Sequence, residues 1–164
     1  MDVQIRLVER RHADGVRTLY NAFVTNSTAT FDLVPRTLDE QVAWIDEHSG
    51  GHPAVVALDG AGHVIGFGSL SAFRDRPAYA TTVEDTVYVD EGRQGEGIGR
   101  RILEELLALA SAHGFHAVIA RIVGDNEASI ALHRTCGFEI VGTEREIGRK
   151  FGRWLDVIEM QRLL

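Results

Sequence analysis

The fold is decided by the stretch Val87-Tyr88-Val89-Asp90-Glu91-Gly92-Arg93-Gln94-Gly95-Glu96-Gly97-Ile98-Gly99-Arg100, in which an apolar strand runs through a glycine-rich turn into a helix. Gly95, Gly97 and Gly99 remove side chains where the backbone must come close to an anion. The first turn of the following helix offers unpaired N–H donors and the positive end of the helix dipole. Arg100 adds a charged donor at the same place. The stretch therefore predicts a phosphate-binding turn.

The spacing of the glycines excludes two common nucleotide-binding turns. A dinucleotide-binding turn follows the pattern G-x-G-x-x-G, and a Walker loop follows G-x-x-x-x-G-K-[ST]. Here the pattern is G-x-G-x-G, and Gly99 is followed by Arg100 rather than by Lys and then Ser or Thr. No acidic residue follows at the distance, about 20 residues, at which a dinucleotide fold holds the ribose. The turn therefore belongs to neither class.

Length, charge and cysteine content limit the classes of protein to which the chain can belong. Its 164 residues suit one domain over 1–164, with a core that needs no disulfide or metal. A formal net charge of −7 makes nucleic acid and anionic membranes poor partners. The single cysteine, Cys136, favours the cytoplasm, and neither a signal peptide nor a membrane-spanning run is expected. The histidines are scattered without metal-ligand spacing, so no metal site is expected.

Hydrophobic periodicity and turn residues predict strands and helices in an α/β order. The strand before the glycine turn, the helix after it and an apolar strand over 117–123 imply parallel pairing of the fourth and fifth strands. Thr37 and Glu40 have the spacing of a capping box, and Asp125 or Asn126 is expected to cap the last helix. The predicted strands cover 3–7, 54–58, 64–71, 81–89, 117–123, 138–146 and 154–163, the predicted helices cover 12–24, 38–47, 98–113 and 127–136, and a hairpin loop covers 148–152.

Two motifs resemble those of the GCN5-related N-acetyltransferases (GNAT). Gln94-x-x-Gly97-x-Gly99 is similar to the signature with which this family binds the pyrophosphate of acetyl-CoA. Asn126-x-x-Ser129-x-x-Leu132-His133-x-x-x-Gly137-Phe138 resembles its second cofactor motif, at the expected distance. The resemblance implies a single-domain α/β (α+β) GNAT fold. This fold has a mixed, mostly antiparallel sheet flanked by helices, with strands four and five parallel and splayed around the acetyl-CoA turn.

Three further segments, 27–31, 82–89 and 148–157, resemble the phosphinothricin and methionine sulfoximine N-acetyltransferases. This resemblance implies direct transfer of acetyl from acetyl-CoA to the α-amino group of a small amino acid or analogue, such as phosphinothricin, methionine sulfoximine or methionine sulfone. It also implies a metal-independent homodimer, and it suits a role in amino-acid detoxification. Two alternatives stay open: a protein N-terminal or small-amine acetyltransferase of the same fold, and a non-catalytic acyl-CoA-binding module.

The resemblance assigns cofactor-binding roles to three parts of the chain. The strand before the glycine turn would offer main-chain N–H groups to the thioester oxygen and run beside the pantetheine. The glycine turn would hold the pyrophosphate, and the second motif would bind a pantetheine amide. The residues concerned are Val87, Tyr88, Val89, Gly95, Glu96, Gly97, Ile98, Gly99, Arg100, Asn126 and Ser129.

Acetyl transfer to an amine needs a base for the ammonium proton and an acid for the departing thiolate. Glu84, three residues before the strand contact, is expected to project into the cleft as general base, although it could equally hold the ammonium as a counter-charge. Asp85 should face the other way unless a bulge intervenes. Many family members have a tyrosine acid where this chain has His133, and a histidine can serve as the acid or simply pack beside the cofactor.

Substrate binding is expected in the loop before strand four and around the cleft. Arg74 and Arg76 can offer a bidentate guanidinium to an α-carboxylate, although a charged loop can also be merely solvated. Phe31 and Trp154 are candidates for the wall of a side-chain pocket. The full set of expected substrate-binding residues is Arg74, Asp75, Arg76, Glu84, Asp85, Thr86 and Phe31.

Overall fold

A computed structural model describes residues 2–164 of the chain. Most elements lie where the hydrophobic pattern predicted them. Three short 3-10 turns, Arg10–His12, Pro77–Tyr79 and Glu91–Arg93, lie between the longer elements. The strands and α-helices, in chain order, are β1 (Gln4–Leu7), α1 (Ala13–Asn26), α2 (Leu38–Glu47), β2 (Ala54–Leu58), β3 (Val64–Ala72), β4 (Thr82–Val89), α3 (Ile98–Ala112), β5 (Ala117–Val123), α4 (Glu127–Thr135), β6 (Glu139–Lys150) and β7 (Arg153–Leu163).

The strands form a seven-stranded sheet in the order β1-β2-β3-β4-β5-β7-β6. All neighbours are antiparallel except β4 and β5, which pair in parallel as predicted. This pairing joins Thr82–Asp85 to Ala117–Ala120 and then stops, although both strands continue. The two strands therefore separate after Asp85, which confirms the splayed GNAT arrangement.

The sheet is covered on both faces, and the side chains of β4 alternate between the two cores. Val83 and Val87 pack with α3 and the interior of β5, whereas Tyr88 packs with α1, α2 and Phe67. Because strand residues alternate in direction, Glu84 belongs to the face of Tyr88 and Asp85 to the face of α3. This alternation places the two neighbouring carboxylates on opposite sides of the sheet.

Two helix starts form as their sequences predict. Thr37 Oγ1 accepts a hydrogen bond from the Glu40 amide at 3.2 Å, and Glu40 Oε2 accepts one from the Thr37 amide at 2.9 Å. At α4 the cap is Asn126 rather than Asp125, because Asn126 Oδ1 accepts from the Ser129 amide. Each cap satisfies amide groups that would otherwise lack a partner in the first helical turn.

The hairpin between the last two strands differs from the prediction. The loop expected over 148–152 is a two-residue turn, Phe151 and Gly152, and β6 continues through Gly148 to Lys150. Phe151 has φ 53° and Gly152 has φ 71°, which is the left-handed backbone of a tight hairpin turn. The cluster of charged residues and glycines resembled a loop, but cross-strand pairing extends the strand almost to the turn.

None of the helices in residues 2–164 has the length and apolar character required to cross a membrane.

Candidate active site

A groove of about 330 Å³ opens beside the glycine turn, between β4, α3 and α4. Its walls come from parts of the chain that the two sequence motifs singled out, so the fold brings the motifs together. Of the eleven predicted cofactor-binding residues, ten line the groove: Val87, Tyr88, Val89, Gly95, Gly97, Ile98, Gly99, Arg100, Asn126 and Ser129.

The glycine turn has the geometry of an anion cradle. Gly95 and Gly97 have φ values of 84° and 80°, a left-handed backbone that favours glycine. A Cβ atom built on either residue would meet no heavy atom within 4 Å, so the surface is open to a ligand. The helix α3 that follows has neither a side-chain cap nor an acidic residue in its first turn. Its amide donors and positive dipole end are therefore available to a pyrophosphate.

The charged residues around the cradle have partners within the protein. The guanidinium of Arg100 is exposed and bonds to Glu104 at 2.7 Å. Glu96, the one predicted cofactor residue that does not line the groove, bonds to Arg93 at 3.0 Å. A pyrophosphate at this place would therefore be held mainly by the main-chain donors of the turn, with Arg100 at the rim.

The second motif presents a free donor to the same groove. Asn126 uses its carbonyl oxygen to cap α4, and its Nδ2 group has no hydrogen-bond partner among residues 2–164. Ser129, one turn later, lines the groove as well. Across from them, the edge of β4 that faces β5 is unpaired from Thr86 onward. This edge supplies main-chain groups where the sequence predicted pantetheine.

Glu84 is partly buried on the opposite face of β4. Burial raises the pKa of its carboxyl group; Arg121 opposes this shift, while Asp85, Glu159 and Glu144 add to it. Arg121 itself is bonded to Glu144 at 2.6 Å. A carboxylate with a raised pKa beside the point where two strands separate has the properties of a general base.

Asp85 faces α4 and bonds to His133. The distance from Asp85 Oδ2 to His133 Nε2 is 2.7 Å, and the two side chains are only 1% and 3% exposed. The other ring nitrogen, Nδ1, donates to the carbonyl oxygen of Ser129 at 2.8 Å. Burial lowers the pKa of His133, but the charge and hydrogen bond of Asp85 and the Ser129 carbonyl outweigh it, so the pKa is raised.

This arrangement corrects one substrate-binding expectation. Asp85 was expected among the residues that contact the amino acid, but its carboxylate is enclosed and bonded to His133. It lies on the face opposite Glu84, as the strand period predicted. The enclosed pair lines a small cavity of about 50 Å³ at the separation of β4 and β5.

Four other predicted substrate residues, Arg74, Asp75, Arg76 and Thr86, lie in the loop before β4 or on β4 itself. Arg74 and Arg76 are exposed in the loop before β4, and neither forms an ion pair with any residue in the described range 2–164. The Arg74 guanidinium lies over the Phe73 ring at 4.8 Å from its centroid. Asp75 is exposed between the two arginines, and Thr86 Oγ1 shares a hydrogen bond with Ser69 at 2.7 Å.

The two candidate pocket aromatics differ in position. Phe31 packs on the backbone of Gly148, so it lies between the α1–α2 loop and β6. Trp154 is 61% exposed on the hairpin, beneath the Arg149 guanidinium. Only Phe31 therefore stays a candidate for the pocket wall of a single chain.

Three residues near the site were not singled out from the sequence. Arg121 is the one exposed residue in the otherwise buried strand β5, and a charge interrupting an apolar run was a usable signal. Lys150 is buried and donates to the carbonyl oxygens of Thr30 and Asp32 at 2.9 and 3.1 Å. Asp32 bonds to the Tyr20 hydroxyl. These contacts join α1 and β6 to the loop that carries Phe31.

Comparisons with known proteins agree with the geometry. The model of the acetyltransferase (GNAT) domain matches residues 5–158. The chain is 40% identical over 162 residues to the L-methionine sulfoximine/L-methionine sulfone acetyltransferase of Pseudomonas aeruginosa, covering 98% of this chain and 94% of the relative. It is also 40% identical over 166 residues to the phosphinothricin N-acetyltransferase of Streptomyces coelicolor, covering 99% and 97% of the two chains.

A solved structure of similar shape contains the expected acyl donor. The phosphinothricin acetyltransferase of Sinorhizobium meliloti, in complex with acetyl-CoA, is 40% identical and has a TM-score of 0.96, covering 100% of this chain and 89% of that one. The motif resemblance, the fold and the use of acetyl-CoA are thereby confirmed. The chain belongs to the GNAT acetyltransferase family and is an acetyl-CoA-dependent N-acetyltransferase.

Proposed function

We propose that residues 1–164 form one acetyltransferase domain that transfers acetyl directly from acetyl-CoA to the α-amino group of a small amino acid. The observation that carries this proposal is the separation of β4 and β5 after Asp85. The groove runs along the part of β4 that follows this separation, and Glu84 lies on β4 just before it. An acyl group in the groove and an amine beside Glu84 can therefore meet where the two strands separate.

Glu84 is proposed to accept the proton of the substrate ammonium. An amine attacks a thioester only as the neutral base, so removing this proton is the first chemical requirement. Burial raises the pKa of Glu84, which brings its proton affinity closer to that of an amine than an exposed glutamate would have. Arg121 is the strongest influence that opposes this shift, because its positive charge favours the ionised carboxylate.

The edge of β4 and the second motif supply the other roles. Main-chain donors of Val87 and Val89, whose N–H groups point away from β3, would polarise the thioester carbonyl, as donors aimed at a developing oxyanion do. Burial raises the pKa of Tyr88, so its phenol stays protonated and serves as a wall of the cleft. His133 is proposed to supply the proton for the departing thiolate.

The substrate class follows from charge and from the relatives. Arg74 and Arg76 form no ion pair with any of the residues 2–164, and the chain has a net charge of −7, so these guanidinium groups suit an anionic group of the substrate. Relatives that share about two fifths of the sequence are named for phosphinothricin, methionine sulfoximine and methionine sulfone. We therefore propose one of these amino-acid analogues, or a glutamate- or methionine-like amino acid, as acceptor.

A thiol-release assay with acetyl-CoA tests the proposal. The acceptors are methionine sulfoximine, methionine sulfone, phosphinothricin, a peptide with a free N-terminus and a polyamine. We expect turnover with the free amino acids and little with the peptide or polyamine. Preference for the peptide or polyamine would support the alternative acceptors, and acetyl-CoA binding without turnover on any amine would support a binding module.

A homodimer is the second part of the proposal. The edge strand β6 and the hairpin expose Ile140, Val141, Ile147 and Trp154. Leu33 and Val34, 66% and 77% exposed, lie on the loop that Lys150 and Phe31 attach to the same hairpin. Several exposed apolar side chains on an edge strand and the loop attached to it are typical of an interface. A second copy of the chain is proposed to cover it, and the cytoplasm is the proposed location.

The oligomeric state can be measured by light scattering on a sizing column. Ile147→Glu should convert a dimer into a monomer, because a carboxylate would be buried without a partner. Leu7→Glu is a matched control, since both side chains are 56% exposed and Leu7 lies on the opposite edge strand, β1. A monomeric wild type, or an unchanged dimer in Ile147→Glu, would contradict the proposed interface.

A further inference from the structure

The pair of Asp85 and His133 determines the protonation state of the histidine. His133 Nδ1 lies 2.8 Å from a carbonyl oxygen, which only accepts hydrogen bonds, so Nδ1 carries a proton. Nε2 lies 2.7 Å from Asp85 Oδ2, and an ionised carboxylate also only accepts. With Asp85 ionised, both ring nitrogens donate, and the ring is a buried imidazolium.

Asp85 is the charged group that faces this ring. Phe138 packs edge-on against it at 4.9 Å between ring centroids, and β5 contributes apolar side chains to the adjoining cavity. Arg121 lines the same cavity, but its guanidinium is bonded to Glu144. Glu84 is next to Asp85 in sequence but lies on the other face of β4. The charge of the histidine therefore depends on Asp85.

His133 lies behind Ser129 as seen from the cofactor groove. Ser129 lines both the groove and the small cavity, whereas His133 lines only the cavity. The Ser129 hydroxyl lies 3.4 Å from His133 Nδ1. A proton that leaves Nδ1 for the groove would therefore pass through this hydroxyl. Asp85, on the far side of the ring, would retain the proton on Nε2.

We propose that Asp85, His133 and Ser129 form a relay that protonates the departing thiolate, with Asp85 as the positioning residue that keeps the histidine charged. This inference rests on the proposed acetyl transfer. When the carbon–sulfur bond breaks, its electron pair stays on sulfur, and the Ser129 hydroxyl gives its proton to the thiolate. Ser129 Oγ takes the Nδ1 proton of His133. The ring is left neutral, with its remaining proton on Nε2 toward Asp85, and it regains a proton from water before the next turnover.

The test combines a titration of the ring with pH profiles of kcat. In the wild type, nitrogen-detected NMR should give His133 a pKa above 6.5, the ordinary value for histidine. In Asp85→Asn, burial should dominate and the pKa should fall below that value. The decline of kcat at alkaline pH should move to lower pH by the same amount. At pH 8 we expect a loss of about 100-fold, largely recovered near pH 6, with KM for acetyl-CoA unchanged.

Two other variants separate the relay from a structural role. Ser129→Ala should lower kcat at every pH without shifting the His133 titration. Asp39→Asn makes the same substitution on an exposed turn of α2 and should change neither measurement. A neutral His133 in the wild type at pH 7.5 would overturn the proposal even if Asp85→Asn failed to fold. If the His133 titration shifts in Asp85→Asn but the pH profile of kcat does not, the Asp85–His133 pair has only a structural role. Failure of the proposed function would instead leave the wild type without acetyl transfer to any amino acid.

Discussion

The phenyl ring of Phe31 lies directly against the backbone of Gly148, so that a Cβ atom at position 148 would fall 2.4 Å from Cε2 of the ring. Two hydrogen bonds from Lys150 attach the same loop to β6. The loop between α1 and α2 is therefore held to the last hairpin by an aromatic contact and a buried amine. If Phe31 forms a wall of the proposed substrate site, the hairpin therefore determines where that wall lies.

Gly148→Ala should displace Phe31. A contact of 2.4 Å cannot persist, so the ring must move, and overpacking of this kind costs about 1–3 kcal/mol of unfolding free energy. We expect KM for the amino acid to rise about 5-fold, which corresponds to about 1 kcal/mol, with acetyl-CoA affinity unchanged. Gly142→Ala on the same strand is the control, because its Cβ would meet nothing within 4 Å. Equal effects of the two variants on KM would remove Phe31 from the substrate site.

Gly97→Asp should abolish acetyl-CoA binding. Gly97 precedes α3 with φ 80°, and a side chain there adds backbone strain and sets a carboxylate against the expected pyrophosphate. Calorimetry should detect no binding to a variant whose circular dichroism is that of the folded wild type. Gly60→Asp, in the open turn between β2 and β3, should bind normally. Unchanged affinity in folded Gly97→Asp would contradict the cradle.

The sequence predicted the cofactor half of the site better than the acid–base half. The glycine turn and the second motif are local patterns, and each encodes a helix start whose geometry depends on neighbouring residues. Asp85 and His133 are 48 positions apart, and their contact arises only when α4 packs on β4. Strand periodicity correctly predicted that Glu84 and Asp85 lie on opposite faces of β4. It could not indicate what each carboxylate would meet, because that depends on which helix covers each face.

The end of β6 is a second place where distant parts of the chain decide a structure that local sequence does not predict. Gly148 and the charged residues after it have the composition of a loop, and the prediction followed composition. Pairing with β7 across Gly148, Arg149 and Lys150 keeps this segment extended, and the turn needs only Phe151 and Gly152. Tertiary pairing therefore overrides a local turn signal, and it brings Lys150 to the loop that carries Phe31.

Glu84→Gln should lower kcat by about 10²–10⁴-fold at pH 7, because the amide cannot accept the ammonium proton. Since burial raises the pKa of Glu84, the base becomes protonated at a higher pH than an ordinary glutamate with a pKa of 4.5. Wild-type kcat/KM should therefore fall as the pH is lowered through that raised pKa. The deficit of the variant should shrink at high pH, where the amine loses its proton unaided.

Glu139→Gln, an exposed residue at the start of β6, provides the control for the loss of one negative charge. Steady-state kinetics from pH 5 to pH 10 on both variants separate the two roles left open for Glu84. A change in KM alone, with kcat and its pH dependence intact, would make Glu84 a counter-charge for the ammonium rather than its base.

Arg76, with Arg74 beside it, should select substrates that carry a free α-carboxylate. Both side chains are exposed and neither forms an ion pair with a residue of the described chain, 2–164, so a planar guanidinium is available for a bidentate contact. Removing a charge-assisted pair costs about 1.5–3 kcal/mol. Arg76→Ala should therefore lose about 10–150-fold in kcat/KM for methionine sulfoximine or phosphinothricin.

The matching carboxamides test whether charge is the cause. A carboxamide cannot use the charge of the guanidinium, so wild type and Arg76→Ala should acetylate it at nearly the same rate. Arg6→Ala, an exposed arginine on β1, should behave as wild type with both substrates. Equal losses on acid and amide would refute a carboxylate contact. Full activity of both Arg74→Ala and Arg76→Ala on the acids would mean that the loop is only solvated.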